Sequence, residues 1–418
     1  MAGAADGGRV NSAAPAPVPA APLRVVPPSP AQRAALGDAA PFVFILPDNL
    51  ALEAAALSAG LGTQRMGDEL CAVGTGPHFI AFARSLTMRG DPLGGSIERA
   101  VRPAAVWRLR TRTLPLDRPW VMGILNLTTD SFSGDGVGTG VEEAVRRAAA
   151  LREAGAAIID VGAESARADR PVLDAAAEAA VVAPVVAALV REGHTVSADT
   201  YKPEVAAAAL EAGAEVVNDI SGLTRGAGAA EQAAKAGAGY VLNYSYSVPK
   251  QRPGTPPVYE DVVRETAAWM FDRLERLRAA GLPDECVAVD PGIAFGKSHD
   301  EDLQVLRRLA ELGAPGLPLL VAHSRKNFIG SVAGNAPAER DLETHVVTAL
   351  AYAAGARIFR VHDAAGATRA LAMAAALSTA AAGAFAPDEG SWPWRAGAEA
   401  AHMTVGGAER AAPPGQRW

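Results

Sequence analysis

Eight short apolar segments of this chain each end on a polar residue that can bind or carry charge. In chain order these are Asn126, Asp160, Asp199, Asn218 with Asp219, Asn243, Asp290, His323 with Ser324, and Arg360 with His362. Carboxylates and amides lose free energy when buried without partners, so their recurrence at the ends of buried segments signals a task. The set mixes acceptors (Asp160, Asp199, Asp290), amides (Asn126, Asn218) and cations (Lys326, Arg360, with His362 neutral or charged). Acceptors grip a guanidine-like donor edge, and cations grip phosphate. A pterin or purine carrying phosphates offers both features. The bland alternative is helix capping. Asp130 before Ser131, and Thr200 before Lys202-Pro203, have the residue types of caps. Capping accounts for a single member of the set more readily than for all of it.

The elements that hold these residues read as strands alternating with helices. The strand candidates are VMGILN (121–126), AIIDVG (157–162), HTVSAD (194–199), EVVND (215–219), GYVLNY (239–244), CVAVD (286–290), PLLVAH (318–323) and RIFRVH (357–362). Near-continuous apolar runs suit parallel strands covered by helices. Stretches such as VEEAVRRAAALREAG and DLQVLRRLAELG between them have helical spacing, and glycine follows several, as a left-handed C-terminal cap requires. Eight such units from about 121 to 382 approach the ~250 residues of a (β/α)8 barrel. An open doubly wound sheet is the competing architecture, and the count of eight favours the α/β TIM barrel. In such a barrel all eight C-terminal strand ends open on one face, where barrel active sites lie.

The remainder of the chain frames this core. Of 418 residues, 49% are hydrophobic and 20% charged, and 39 basic against 46 acidic residues give a net charge of −7. That balance excludes a broadly basic nucleic-acid surface. No apolar run approaches the ~20 residues that span a bilayer. Cys71 and Cys286 alone support neither a disulfide scaffold nor a cysteine zinc site, so a cytoplasmic location is expected. Residues 1–40, rich in Ala and Pro, are expected to be disordered. Residues 41–118 read as a small N-terminal α+β appendage, 119–385 as the barrel and 386–418 as a low-complexity tail. Within the appendage FVFILP and ELCAVG read as strands, HFIAFARSL as helix or strand, and VWRLRTRTLPL as an edge strand.

Two glycine-rich stretches do not qualify as nucleotide motifs. Gly292 to Ser298 is one residue short of a P-loop, and the glycines at 134, 136, 138 and 140 lack dinucleotide spacing and read as a mobile loop. His299, His323 and His345 lack zinc-ligand spacing, and His323 reads as a satisfied core histidine.

MGILNLTTDSFSGDG (122–136), IIDVGAESAR (158–167), SADTYKPEVAAAALEAGAEVVNDISGL (197–223), VDPGIAFGK (289–297), SRKNFIG (324–330) and RVHD (360–363) together resemble the dihydropteroate synthases, in that family's order. The resemblance implies a (β/α)8 barrel that joins 6-hydroxymethyl-7,8-dihydropterin pyrophosphate to p-aminobenzoate, with magnesium assisting and a homodimer as the usual assembly. By position it assigns Asp160, Asp199, Asn218, Asp290 and Lys326 to the pterin. It assigns Arg360 and His362 to the pyrophosphate, with Lys326 beside them as the catalytic set, and Asn126 to the metal. Arg167 falls on a loop near the arylamine, and Asn327 stands on the same side.

The departures from the family pattern gather on that arylamine side. Ser165-Ala166-Arg167-Ala168 stands where Ser-Thr-Arg-Pro is usual, and Asn327 where Ser or Thr is usual. Asn243-Tyr244-Ser245 replaces Met-His-Met, and Thr128-Thr129-Asp130 replaces Thr-Pro-Asp. Asn243 and Tyr244 bring polar groups that need hydrogen-bond partners. Ordinary drift, a different arylamine such as the larger or phosphorylated one of methanopterin-type synthesis, and a non-catalytic pterin-binding paralogue all accommodate this pattern. A corrinoid-dependent pterin methyltransferase shares the barrel type but would leave Arg360-Val361-His362 without a task.

Overall fold

The computed structural model describes residues 24–28, 32, 36–127, 140–164, 172–250 and 257–379. Its N-terminal part is an antiparallel sheet of β1 (Arg24–Val26), β2 (Pro41–Pro47), β3 (Gly62–Met66) and β4 (Glu69–Thr75), in the order β1-β2-β4-β3. Strand alternation buries Phe42, Phe44, Leu46, Leu70 and Ala72 on one face. That face packs against α1 (Leu50–Ser58), α2 (Gly76–Met88) and α3 (Leu93–Val101). HFIAFARSL is helical: Phe79, Ile80, Phe82, Ala83 and Leu86 are buried at helical spacing, and the Phe79 ring lies 4.2 Å from that of Phe44.

One boundary needs correction. Arg24–Val26 lies within the stretch 1–40 expected to be disordered, yet it pairs with β2. Val25 is buried and Arg24 reaches Glu69 at 2.5 Å. Composition averaged over forty residues hides a three-residue strand whose stability comes from a partner outside the segment. Residues 1–23, the loop 128–139 and the tail 386–418 lie outside the described residues.

The barrel strands are β7 (Trp120–Asn126), β8 (Ile158–Gly162), β9 (Val196–Asp199), β10 (Val216–Asp219), β11 (Gly239–Asn243), β12 (Val287–Asp290), β13 (Leu320–Val321) and β14 (Ile358–Val361). All eight are parallel neighbours in the order β12-β11-β10-β9-β8-β7-β14-β13. A bridge between Val289 and Leu319 closes the ring, with the Val289 amide donating to the Pro318 carbonyl at 2.9 Å. The expected α/β barrel is therefore the fold. Helices α4 (Val141–Glu153), α5 (Ala175–Arg191), α6 (Pro203–Glu211), α7 (Gly228–Ala236), α8 (Val262–Ala279), α9 (His299–Arg307), α10 (Asn327–Ala333), α11 (Asp341–Ala353) and α12 (Ala364–Thr379) follow the strands. The glycines after helices act as anticipated: Gly155, Gly213 and Gly355 have φ of +99°, +106° and +105°.

The Arg-rich segment is a hairpin rather than a simple edge strand. It comprises β5 (Val106–Arg108) and β6 (Thr113–Pro115). Its Trp107, Leu109 and Leu114, with Leu116 beyond, join Met122, Ile158, Val216, Val241, Ala288, Leu320 and Ile358 in one buried cluster at the start of the barrel strands. The Trp107 indole N–H donates to the Cys286 carbonyl at 2.8 Å. The hairpin thus plugs the end of the barrel opposite the strand C-termini.

Candidate active site

The plug fixes which residues face inward. Ile158, Val216, Val241, Ala288 and Ile358 point into the barrel. With a period of two, so do Asp160, Asn218, Asn243, Asp290 and Arg360, one layer higher. Asn126 and His362 share that parity on β7 and after β14. Asp199 joins them because its strand pairs Ser197 with Asp160 and Asp199 with Asn218. Asp199 lies against the bare backbone of Gly162, where a Cβ would sit 3.2 Å from that of Asp199.

Arg360 spans the mouth. Its Nε donates to Asp160 Oδ2 and its Nη2 to Asp199 Oδ2, each at 2.6 Å. Asn218 Nδ2 donates to the same Asp160 oxygen at 3.1 Å. The other Asp160 oxygen is buried with no partner among the described residues. A buried carboxylate oxygen of this kind is an acceptor held ready for a donor. Burial pushes the Asp199 carboxyl up, to about 7, against the pull of Arg360, and Asp160 adds to the rise. Burial opposes the charge of Arg360, but Asp160 and Asp199 outweigh it and hold the guanidinium above its ordinary value.

In the segment after β13, the strand next to β14, Lys326 donates to the Ile293 carbonyl at 2.6 Å and its ammonium lies 4.9 Å from the centre of the Phe295 ring. Burial lowers its pKa to about 8, partly offset by Asp290 and Asp302, and it also feels Arg360 and Asp199. Asp290 is raised by burial and lowered by Lys326, and its Oδ1 accepts the Gly292 amide at 2.7 Å. Lys326 is placed by its neighbour. Arg325 has a left-handed φ of 57° and is held by a bidentate pair with Asp341 at 2.7 and 2.8 Å. His362 Nδ1 meets Ser324 Oγ at 2.9 Å. Asn126 is half-buried at the end of β7.

Capping does not explain the acids. The N-cap side chains come from Asn49, Asp174, Asp261 and Ser298, the last in a capping box with Glu301. Thr200 accepts only the Lys202 amide at 3.2 Å, and α6 has no side-chain cap. Asp130 lies outside the described residues.

Some expected members stand apart. Asp219 turns away from the mouth, where it accepts from the Tyr240 hydroxyl at 2.5 Å and the Ser221 amide at 2.7 Å. His323 likewise faces outward, with Nε2 2.9 Å from Thr348 Oγ1 and 3.0 Å from the Thr344 carbonyl. Burial pulls its pKa down to about 4, so it is a neutral core histidine. Asn327 is exposed on the first turn of α10, and its Oδ1 accepts from Arg340 at 3.3 Å. Arg167 falls outside the described residues.

A buried ion cluster had no counterpart in the sequence reading. Glu164, two residues past β8, accepts from Lys202 Nζ at 2.7 Å, the Tyr201 hydroxyl at 2.9 Å and the Leu173 amide at 2.7 Å. Lys202 also pairs with Glu178, and Lys250 approaches Glu164 at 3.3 Å. The altered positions 243–245 are satisfied. Asn243 Nδ2 donates to the Ile220 and Tyr244 carbonyls at 3.2 and 2.8 Å. The Tyr244 hydroxyl is 2.9 Å from that of Tyr259, which donates to the Gly296 carbonyl at 2.9 Å. Lys297 lies 3.5 Å over the Tyr244 ring, and Ser245 Oγ donates to the Ser247 carbonyl.

The chain is similar to known proteins. A family model described as "Pterin binding enzyme" matches residues 122–362. The dihydropteroate synthase of Mycobacterium leprae (strain TN) is 39% identical over 249 residues, covering 58% of this chain and 88% of that protein. The chain belongs to the dihydropteroate synthase family. Among solved structures of the family, the Yersinia pestis enzyme with a sulfonamide drug complex superposes with a TM-score of 0.62 at 36% identity, covering 66% of this chain and 99% of that one. The Xanthomonas albilineans enzyme in complex with 7,8-dihydropteroate gives a TM-score of 0.58 at 36% identity, covering 65% and 98%. The family match starts at residue 122, after the appendage and its hairpin.

Proposed function

We propose that this chain condenses 6-hydroxymethyl-7,8-dihydropterin pyrophosphate with p-aminobenzoate to give 7,8-dihydropteroate and pyrophosphate. The observation that carries the reading is the mouth itself: buried acceptors on Asp160, Asp199, Asn218 and Asp290 face cations on Arg360 and Lys326 across one rim. The acceptors bind the donor edge of the pterin. Lys326 lines the bicycle beside Asp290, while Arg360 and His362 take the pyrophosphate. Arg360 is held by two carboxylates, so the pyrophosphate must compete with Asp160 and Asp199 for it.

In the reaction the methylene carbon–oxygen bond breaks and its electron pair leaves with the pyrophosphate. The electron-rich pterin stabilises the carbon left behind. The lone pair of the arylamine nitrogen forms the new carbon–nitrogen bond, and that nitrogen gives up a proton. The residues orient the partners and stabilise the departing charge, and no protein nucleophile is required. Among the described residues no cluster of three acidic, histidine or cysteine side chains could hold a metal. Asn126, a hard oxygen donor at the rim, fits a magnesium ion that reaches the site largely ligated by phosphate and water. Bound there, magnesium would neutralise charge on the leaving group.

Arg167 and Asn327 stand on the arylamine side of this scheme. Asn327 is already engaged by Arg340, and this favours a second reading in which the same leaving-group chemistry serves a different arylamine. The deciding experiment is pyrophosphate release from the pterin pyrophosphate with a panel of arylamines. Efficient use of p-aminobenzoate supports the first reading, preference for a ribosylated arylamine phosphate the second. Calorimetric binding of the pterin pyrophosphate with no release for any arylamine refutes both.

We also read the chain as a cytoplasmic homodimer. No helix among the described residues is long and apolar enough to cross a membrane. Leu342, Val346 and Leu350 on α11, with Met373 and Leu377 on the adjacent α12, are 52–72% exposed at four-residue spacing. Such an aligned apolar face fits a second copy of the chain.

A further inference from the structure

Ser324 and His362 form a pair whose hydrogen bonding selects one state of the imidazole. Ser324 stands three residues past β13, with the inward parity of Ala322, and is 6% exposed. Its Oγ accepts the backbone N–H of His362 at 3.2 Å and lies 2.9 Å from Nδ1 of the same residue. A hydroxyl has one hydrogen to donate. Among the described residues, His362 Nδ1 is the acceptor that the structure places within reach of it. If Nδ1 carried the ring hydrogen instead, the oxygen would accept twice and its own buried hydrogen would point at no acceptor.

We infer that Ser324 is a positioning residue that donates to His362 Nδ1 and so keeps the hydrogen of the neutral ring on Nε2. The two-point contact also fixes the ring plane, because the same oxygen holds the backbone and the side chain of His362. A histidine in this state presents an N–H donor from Nε2, the polarity needed to meet an oxygen that gains negative charge. This use rests on the reading above that His362 serves the leaving pyrophosphate. The tautomer assignment does not depend on that reading.

The test labels the full-length chain with 15N-histidine and raises the pH until the ring-nitrogen shifts stop changing, which marks the neutral ring. His362→Gln identifies its signals among the seven histidines. The expected spectrum has a pyridine-like Nδ1 and a protonated Nε2. Ser324→Ala should move both signals toward the average of the two tautomers, and Ser324→Thr should restore the original pattern. In the pyrophosphate-release assay Ser324→Ala should lose roughly tenfold, in kcat rather than KM, with Ser324→Thr recovering most of the loss. A wild-type ring protonated on Nδ1, or a Ser324→Ala pattern identical to wild type, overturns the assignment. The wild-type spectrum alone can do so if the alanine variant fails to fold. If the wild-type chain releases no pyrophosphate with any arylamine, the reaction reading falls and the nitrogen spectrum still judges the tautomer.

Discussion

Replacing Arg360 with Met separates electrostatic support from packing at the mouth. The side chain makes two charge-assisted bonds at 2.6 Å, to Asp160, which is fully buried, and to Asp199. Each such bond is worth about 1.5–3 kcal/mol, and removing one partner of a buried ion pair costs about 3–5 kcal/mol. At ~2–4 °C per kcal/mol for a barrel of this size, Arg360→Met should melt roughly 10 °C lower at pH 8. The pH dependence follows from Asp199, whose folded pKa is raised to about 7 by burial. An acid raised on folding leaves the folded state binding more protons, so its charged form costs stability as pH climbs from the unfolded value through the folded one. Without Arg360 the folded value climbs further and the cost grows. At pH 5 Asp199 is protonated with or without Arg360, so the gap between variant and wild type should shrink. Calorimetric melting of wild type, Arg360→Met, Asp199→Asn and the double variant at pH 5 and 8 completes the test. Asp199→Asn should recover about 1–3 kcal/mol in the Arg360→Met background at pH 8. An equal loss at both pH values, with no recovery, would refute the electrostatic account. Pyrophosphate release by Arg360→Met should fall ~10²–10³-fold.

Lys202→Met leaves Glu164 and Glu178 buried without their shared cation, and denaturant titration should register a loss of about 3–5 kcal/mol that Glu178→Gln partly restores; no restoration would assign the loss to packing. Trp107→Ala empties the plug and breaks the bond to Cys286, so the melting transition should fall by the equivalent of about 3–5 kcal/mol, while pterin affinity measured well below that transition stays within twofold. Leu350→Glu places a charge on the apolar face of α11 and α12, and sedimentation should show a monomer. A wild-type chain that already sediments as a monomer ends that proposal.

The layer of polar strand ends was legible because a parallel barrel imposes two rules at once: apolar runs mark the strands, and all their C-terminal ends share one face. The rules do not set register by a single residue. Asp219 and His323 belong to the same strand-end clusters as Asn218 and Ser324, yet the two-residue period sends them outward, Asp219 to the Tyr240 hydroxyl of β11 and His323 to Thr348 of α11. The Glu164–Lys202 cluster joins residues 38 apart, neither of which sits at a strand end, so strand reading passes over it. PLLVAH reads as a six-residue strand but pairs only at Leu320 and Val321 beyond its closing bridge; Pro318, with no amide hydrogen to donate, limits pairing only at its first residue. The plug escaped notice because alternation in VWRLRTRTLPL shows a half-buried strand without showing what buries it.

The closing bridge has a further consequence. β12 and β13 meet at the one pair Val289–Leu319, whereas β7 and β8 pair at five positions. Amide hydrogens along this seam should exchange with solvent sooner than those elsewhere in the ring. Asp290 and Lys326 stand on its two lips, so a guest molecule bonded to both would staple the seam shut, and its arrival would be readable as slowed deuterium uptake at residues 318–321.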